Sequence, residues 1–170
     1  MAEFARDNTI GINGLSKSHA MTGWRVGFIF AAAAIITEIR KTHMYLVSST
    51  SSISQKAALE AVTVGINDAM PMKAEYQKRR DYLYEELSGT GFEIARPNGA
   101  FYIFAKIPKR FGSDSMAFCV DLAKKVHLAV IPGIAFGEAG EGYIRISYAA
   151  SMEKLREAMK RMREYICKDR

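Results

Sequence analysis

One lysine, Lys17, lies in a run of small and polar residues, Asn13-Gly14-Leu15-Ser16-Lys17-Ser18-His19, and an arginine, Arg25, follows eight residues later. Apolar runs flank this stretch at residues 9–12 and 26–34. On a polar turn leaving a strand, partial burial would lower the lysine pKa and leave an unprotonated amine available as a nucleophile, with Arg25 as a fixed cation nearby. A second arginine, Arg145, alternates with Ile144 and Ile146. In a strand that alternation sends it to the face opposite two core residues, where a ligand-facing guanidinium belongs. A planar guanidinium offers paired donors to a phosphate or a carboxylate, worth about 1.5–3 kcal/mol per charged hydrogen bond.

The elements that must hold these groups follow from periodicity. Residues 9–13 read as a strand feeding the lysine turn, and residues 24–30 as a second strand, apolar on both sides like one buried in an α/β sheet. Residues 31–47 suit a helix with Ile35, Ile39 and Tyr45-Leu46 near one face. The Ser/Thr run 48–52 breaks it, and a helix over 53–64 follows. Asn67-Asp68 is a cap signal for a long helix in which Met72, Tyr76, Leu83 and Leu87 recur until Gly89, and a domain boundary is expected near residues 68–76. Short strands are expected at 92–95 and 100–105, a hairpin-like pair turned by Pro97-Asn98-Gly99. Next come a helix over 113–126 capped by Ser113 or Ser115, a strand over 128–131 turned by Pro132-Gly133, a loop over 137–142 and a strand over 143–147. A last helix is capped by Ser151, with Met152, Leu155, Met159, Met162 and Ile166 on one stripe and Glu157 paired with Arg161 on the other side.

Gly14-Leu15-Ser16-Lys17 followed by Ala20-Met21, Gly23 and Arg25-Val26-Gly27 resembles the pyridoxal-phosphate attachment site of class I (fold-type I) aminotransferases. The likeness runs on in family order through Ser54-Gln55-Lys56-Ala57-Ala58-Leu59-Glu60, Pro97-Asn98-Gly99-Ala100-Phe101-Tyr102, Ile131-Pro132-Gly133-Ile134-Ala135-Phe136-Gly137 and Tyr143-Ile144-Arg145-Ile146-Ser147-Tyr148, and so covers nearly the whole chain. It implies that Lys17 carries pyridoxal 5'-phosphate as a Schiff base and that Arg25 pairs with its phosphate. Arg145 would then grip the substrate α-carboxylate. The same lysine would move a proton between the substrate α-carbon and the cofactor. Many relatives have a serine phosphate ligand three residues before the lysine; that position is Gly14 here, which leaves Ser16 or Ser18 to compensate. Family members are considerably longer, with the lysine in their second half. The resemblance therefore implies a C-terminal portion: residues 1–67 as the end of the cofactor-binding large-domain sheet, and residues 68–170 as an α/β small domain.

The implied reaction is amino transfer from an α-amino acid to a 2-oxo acid, by a homodimer in the complete enzyme. The fragment alone is expected to be inactive, because the aspartate that pairs with the pyridine nitrogen and the aromatic residue stacked on the ring belong to the absent half. Lyases and synthases on the same fold use the same lysine and stand as an alternative, as does a truncated remnant without activity. In related enzymes the Ser/Thr stretch 48–52 lies near the subunit boundary and the neighbouring active site, although a capped helix connection explains it equally well.

Composition narrows the partners. The chain has 170 residues and a formal charge of +6, with its basic residues scattered rather than gathered on one face, so a nucleic-acid role is not expected. The longest apolar run, 26–36, is too short to span a bilayer and the N-terminus has no signal-peptide h-region, which points to a cytoplasmic protein without a membrane partner. Cys119 and Cys167 lack metal-ligand spacing and read as small packing residues. His19 suits a positioning role beside Lys17, whereas His43 and His127 read as ordinary surface or satisfied residues. Phe101, Tyr102 and Phe136 hint at apolar or aromatic substrates, with core packing an equal explanation.

Overall fold

The computed structural model describes Glu3 and residues 5–168. The chain forms two compact units, Met1–Met72 and Lys73–Arg170.

The first unit is built on a hairpin. β1 (Gly11–Gly14) and β2 (Gly27–Phe30) pair antiparallel, Gly11 opposite Phe30 and Gly14 opposite Gly27. The strands close on two glycines because space is short there: a Cβ on Gly14 would stand 3.3 Å from the Val26 carbonyl oxygen, and one on Gly27 3.2 Å from that of Asn13. The expected burial of β2 on both faces is not found, as Ile29 is 43% and Phe30 63% exposed. Its only sheet partner among the described residues is β1, and of its own residues only Phe28 is half-buried, packed toward Leu15, Met21 and Ala58. α1 (Ala33–Val47) likewise buries no residue fully and is stopped by Ser48 at φ 60°. α2 (Ser52–Val62) buries Ser54 and Ala58, one turn apart. This small-residue face lets the helix approach Leu15 and Met21, which are buried with Ala58 while Val26, Phe28, Ala57 and Ala61 pack around them. α3 (Ala69–Ser88) runs across the division between the units.

The second unit is a four-stranded antiparallel sheet in the order β3-β4-β6-β5. Its strands are β3 (Glu93–Ile94), β4 (Tyr102–Lys106), β5 (Ile131–Pro132) and β6 (Tyr143–Ser147). The hairpin-like pairing is present, with Glu93 opposite Lys106 and Ile94 opposite Ala105. Ile103, Ala105 and Ile144 share one face and are fully buried. They join Leu83 and Leu87 of α3, Leu122 of α4 (Ser115–Val126), and Leu155, Met159 and Met162 of α5 (Met152–Lys168) in one core. Each such aliphatic side chain contributes about 1.5–3 kcal/mol of burial free energy. The α5 stripe is as expected, with Tyr165 added, and the Ser151 cap and the Glu157–Arg161 pair both form.

Two boundaries differ from the sequence reading in a way that the packing explains. The strand expected over 128–131 is only Ile131–Pro132, because Leu128 and Val130 turn onto the core and Gly133 at once begins a 3-10 turn, Gly133–Phe136. Pro132 is tolerated because β5 is an edge strand and needs no donor there. The cap of α4 is neither Ser113 nor Ser115 but Asp114, whose carboxylate accepts from the Ala117 amide at 2.8 Å. Ser115 is fully buried instead, and its hydroxyl accepts from the Ile134 amide.

Candidate active site

In the first unit, residues between β1 and β2 wind around the buried Leu15, whose carbonyl accepts from the amides of His19 (3.1 Å) and Met21 (3.4 Å). Lys17 lies on the outside of this turn and is exposed, so the expected partial burial is absent; Leu15 and Met21 are what the turn buries. Ser16 is half-buried. His19 holds the turn in place, with Nε2 3.1 Å from the Gly65 carbonyl oxygen and Nδ1 2.9 Å from Ser18 Oγ. A carbonyl can only accept, so the proton sits on Nε2. The positioning role expected of His19 is what the geometry supports, through a partner 46 residues away.

Arg25 follows the 3-10 turn Thr22–Trp24 in the left-handed region, φ 51°, a conformation that costs a non-glycine residue roughly 1–2 kcal/mol. Two bonds hold it there. Its Nη1 donates to the Thr22 carbonyl at 3.1 Å, and buried Ser54 donates to the Trp24 carbonyl at 2.8 Å, clamping the peptide just before it. Arg25 lines a cleft of about 690 Å³ together with Trp24, Ser49, Thr50, Ser51 and Ser54, and no carboxylate lines it. The Ser/Thr segment singled out in the sequence thus shares a wall with the candidate phosphate ligand. Lys17 and Ser16 stand on the turn, outside that wall. Because the hairpin closes at Gly14 and Gly27, Lys17 and Arg25 leave it from the same end.

In the second unit, β6 places Arg145 opposite both Phe104 and Ile131, on the face away from the core. Its guanidinium carbon lies 4.3 Å from the centroid of the Tyr102 ring and 4.5 Å from that of Phe136. No carboxylate pairs with it among the described residues. Glu141, the nearest acidic candidate in sequence, is committed elsewhere: it accepts from the Ser115 amide at 2.6 Å and from the Gly142 amide at 3.3 Å. Those bonds, the Ser115 amide first, hold its carboxyl below the usual glutamate range. A cleft of about 560 Å³ is lined by Tyr102, Arg145, Ser147 and Lys154 among others, again without a carboxylate. Sequence reasoning had not linked Tyr102 and Phe136 to Arg145, since they meet it only through strand register and a turn.

The donor set of amine, guanidinium and hydroxyl suits an anionic carbonyl cofactor with a phosphate, and the three candidate residues all present cationic groups toward solvent or clefts free of acids. No cluster of His, Cys, Asp or Glu fit for a metal occurs among the described residues. No helix among them is long and apolar enough to cross a membrane.

Residues 3–162 match the family described as Aminotransferase class I and II. Over its full 170 residues the chain is 51% identical to a Bacillus subtilis protein named "Probable N-acetyl-LL-diaminopimelate aminotransferase", and spans 43% of that protein. It is 44% identical over 165 residues to the aspartate aminotransferase of Pyrococcus horikoshii, covering 95% of this chain and 42% of the relative. The crystal structure of an aromatic aminotransferase from Pyrococcus horikoshii superposes with a TM-score of 0.91 at 41% identity, covering 96% of this chain and 44% of that one. The chain therefore spans less than half the length of the relatives it matches. All three are named as aminotransferases, and nothing in them favours the lyase alternative.

Proposed function

The chain belongs to the class I and II aminotransferases, and from that premise we propose that it is the part of such an enzyme that holds the cofactor amine, one phosphate-binding arginine and the arginine that binds substrate carboxylate. The observation that carries this reading is the glycine-closed hairpin, which sends Lys17 and the locked Arg25 off one end. Pyridoxal 5'-phosphate, when bound, supplies the electron sink for chemistry at the substrate α-carbon. Lys17 Nζ would hold the cofactor through its carbonyl group and, with its amine free, would take and return the proton at the substrate α-carbon. Arg25 and Ser16 bind the phosphate, with the hydroxyls of the 48–52 segment available in the same cleft as Arg25. Arg145 binds the α-carboxylate and so decides which bond to the α-carbon is aligned for cleavage. The substrates are an α-amino acid and a 2-oxo acid. The exposed apolar surface of β2 and α1 supports a homodimer in the complete enzyme.

The test is chemical. The chain is incubated with pyridoxal 5'-phosphate, reduced with borohydride and mapped by peptide; the label is expected on Lys17, and Arg25→Ala is expected to lower its yield. A label that favours another lysine over Lys17 would overturn the assignment.

A further inference from the structure

Arg145 lacks an acidic partner among the described residues, yet its side chain is far from loose. On the sheet face away from the core, β4 and β6 set Phe104 and Arg145 directly opposite each other, with Tyr102 and Tyr143 on the same side. Phe136, on the turn after β5, lies over this face, its ring 6.0 Å from that of Phe104 and 4.5 Å from the Arg145 guanidinium. Both rings that touch the guanidinium are themselves fixed. Tyr102 is in register with Ser147 and packs 4.6 Å from Phe101, which stacks on Tyr76 at 5.8 Å. Phe136 ends a turn whose first residue, Gly133, is wedged against Gly140.

We infer that Tyr102 and Phe136 are positioning residues of the carboxylate site, holding the Arg145 guanidinium in one orientation with its edge N–H donors presented to an incoming carboxylate. The inference rests on the reading of Arg145 as the carboxylate-binding residue. Its physical basis is a difference between kinds of neighbour. A carboxylate beside Arg145 would fix the side chain but would also neutralise it and occupy its donors. An aromatic face attracts the cation through its quadrupole and leaves the in-plane N–H groups unused. Two rings therefore restrict the rotamers of a long side chain before substrate arrives, which lowers the ordering cost of binding without lowering the charge. The rings then serve the arginine and do not form a side-chain pocket, so their effect is the same for small and large amino acids.

The experiment follows the Arg145 Nε–H resonance and, so that every variant has a readout, the backbone amide resonances of β4 and β6 in the ¹⁵N-labelled 170-residue chain during titration with L-alanine, L-phenylalanine and L-alaninamide. Saturable shifts are expected with both amino acids and none with the amide. Tyr102→Leu and Phe136→Leu are each expected to weaken both amino acids by a similar factor, about fivefold or more, while Tyr102→Phe and Phe136→Tyr restore binding. Phe136→Leu is the decisive variant because the ring is 50% exposed, so its loss leaves the core in place. Affinity unchanged in both leucine variants, with binding abolished in Arg145→Gln, would overturn the role of the rings and leave Arg145 standing. Weakening confined to phenylalanine would also overturn it, by showing a side-chain pocket. An absent shift in the wild-type chain, or one that survives Arg145→Gln, would remove the reading of Arg145 and this inference with it.

Discussion

Replacing Gly140 by alanine asks whether the turn that carries Phe136 depends on backbone touching backbone. A Cβ at Gly140 would stand 2.2 Å from the Gly133 carbonyl oxygen and 2.8 Å from its carbon. The reciprocal Cβ at Gly133 would meet the Gly140 oxygen at 1.9 Å and the Tyr143 oxygen at 2.7 Å. A carbon and a carbonyl oxygen pack at about 3.3–3.6 Å, so the two turns would have to part by about 1 Å. No flexible side chain can absorb that shift, since the opposing atoms are main chain and both glycines are buried. Overpacking of this kind costs about 3 kcal/mol, at the upper end of its usual range. For a unit of this size each kcal/mol lowers Tm by about 4–8 °C, so a loss of about 12–24 °C is expected. The two units carry separate probes: the single tryptophan, Trp24, precedes residue 73, and of the eight tyrosines only Tyr45 does. Near-UV tyrosine dichroism should therefore show the drop while Trp24 fluorescence melts as before. Gly137→Ala serves as the control, because its Cβ would meet nothing within 4 Å and only its φ of 110° penalises a side chain, by about 1 kcal/mol. If Gly140→Ala melts no lower than Gly137→Ala, steric wedging is not what shapes the turn.

Two further outcomes concern ionisable groups. Glu141 has a folded pKa below its unfolded one, so it contributes stability that is present above the ordinary glutamate pKa, about 4.3, and is lost as pH falls through the lower folded value. Glu141→Gln should thus melt below wild type at pH 7 and approach it as pH drops past 4; a gap in Tm that stays constant down to pH 3 would contradict the linkage. Burial pushes the Cys119 thiol up to about 11, whereas Cys167 is exposed. A thiol reagent at pH 8 should find one reactive group in the native chain and two after denaturant, and two fast groups in the native chain would refute the packing assigned to Cys119.

What was legible in the sequence had a short repeat or a short reach. The alternation around Arg145, the α5 stripe, the Ser151 cap and the turn at Pro97-Asn98-Gly99 are all decided by residues within one or two turns of each other. The misses depend on distant partners. Three capping residues stand in a row at 113–115, and only the bond from Ile134, nineteen residues away, shows why Ser115 faces inward and Asp114 caps. Apolar β2 reads as doubly buried because sequence records its appetite for cover and not the number of strands beside it. Phe136 reaches Arg145 through the crossing of Gly133 and Gly140, a contact with no signature shorter than the motif itself.

The bridge from His19 to Gly65 has a consequence for when the lysine turn takes its final shape. Its two ends lie 46 residues apart, and closing a loop of that length costs conformational entropy that a short hairpin does not have to overcome. β1 and β2 can pair on their own, but the segment that bears Lys17 is latched only once α2 has formed and the chain beyond it has come back to the turn. The lysine turn is therefore fastened from beyond α2, and not by the strands on either side of it.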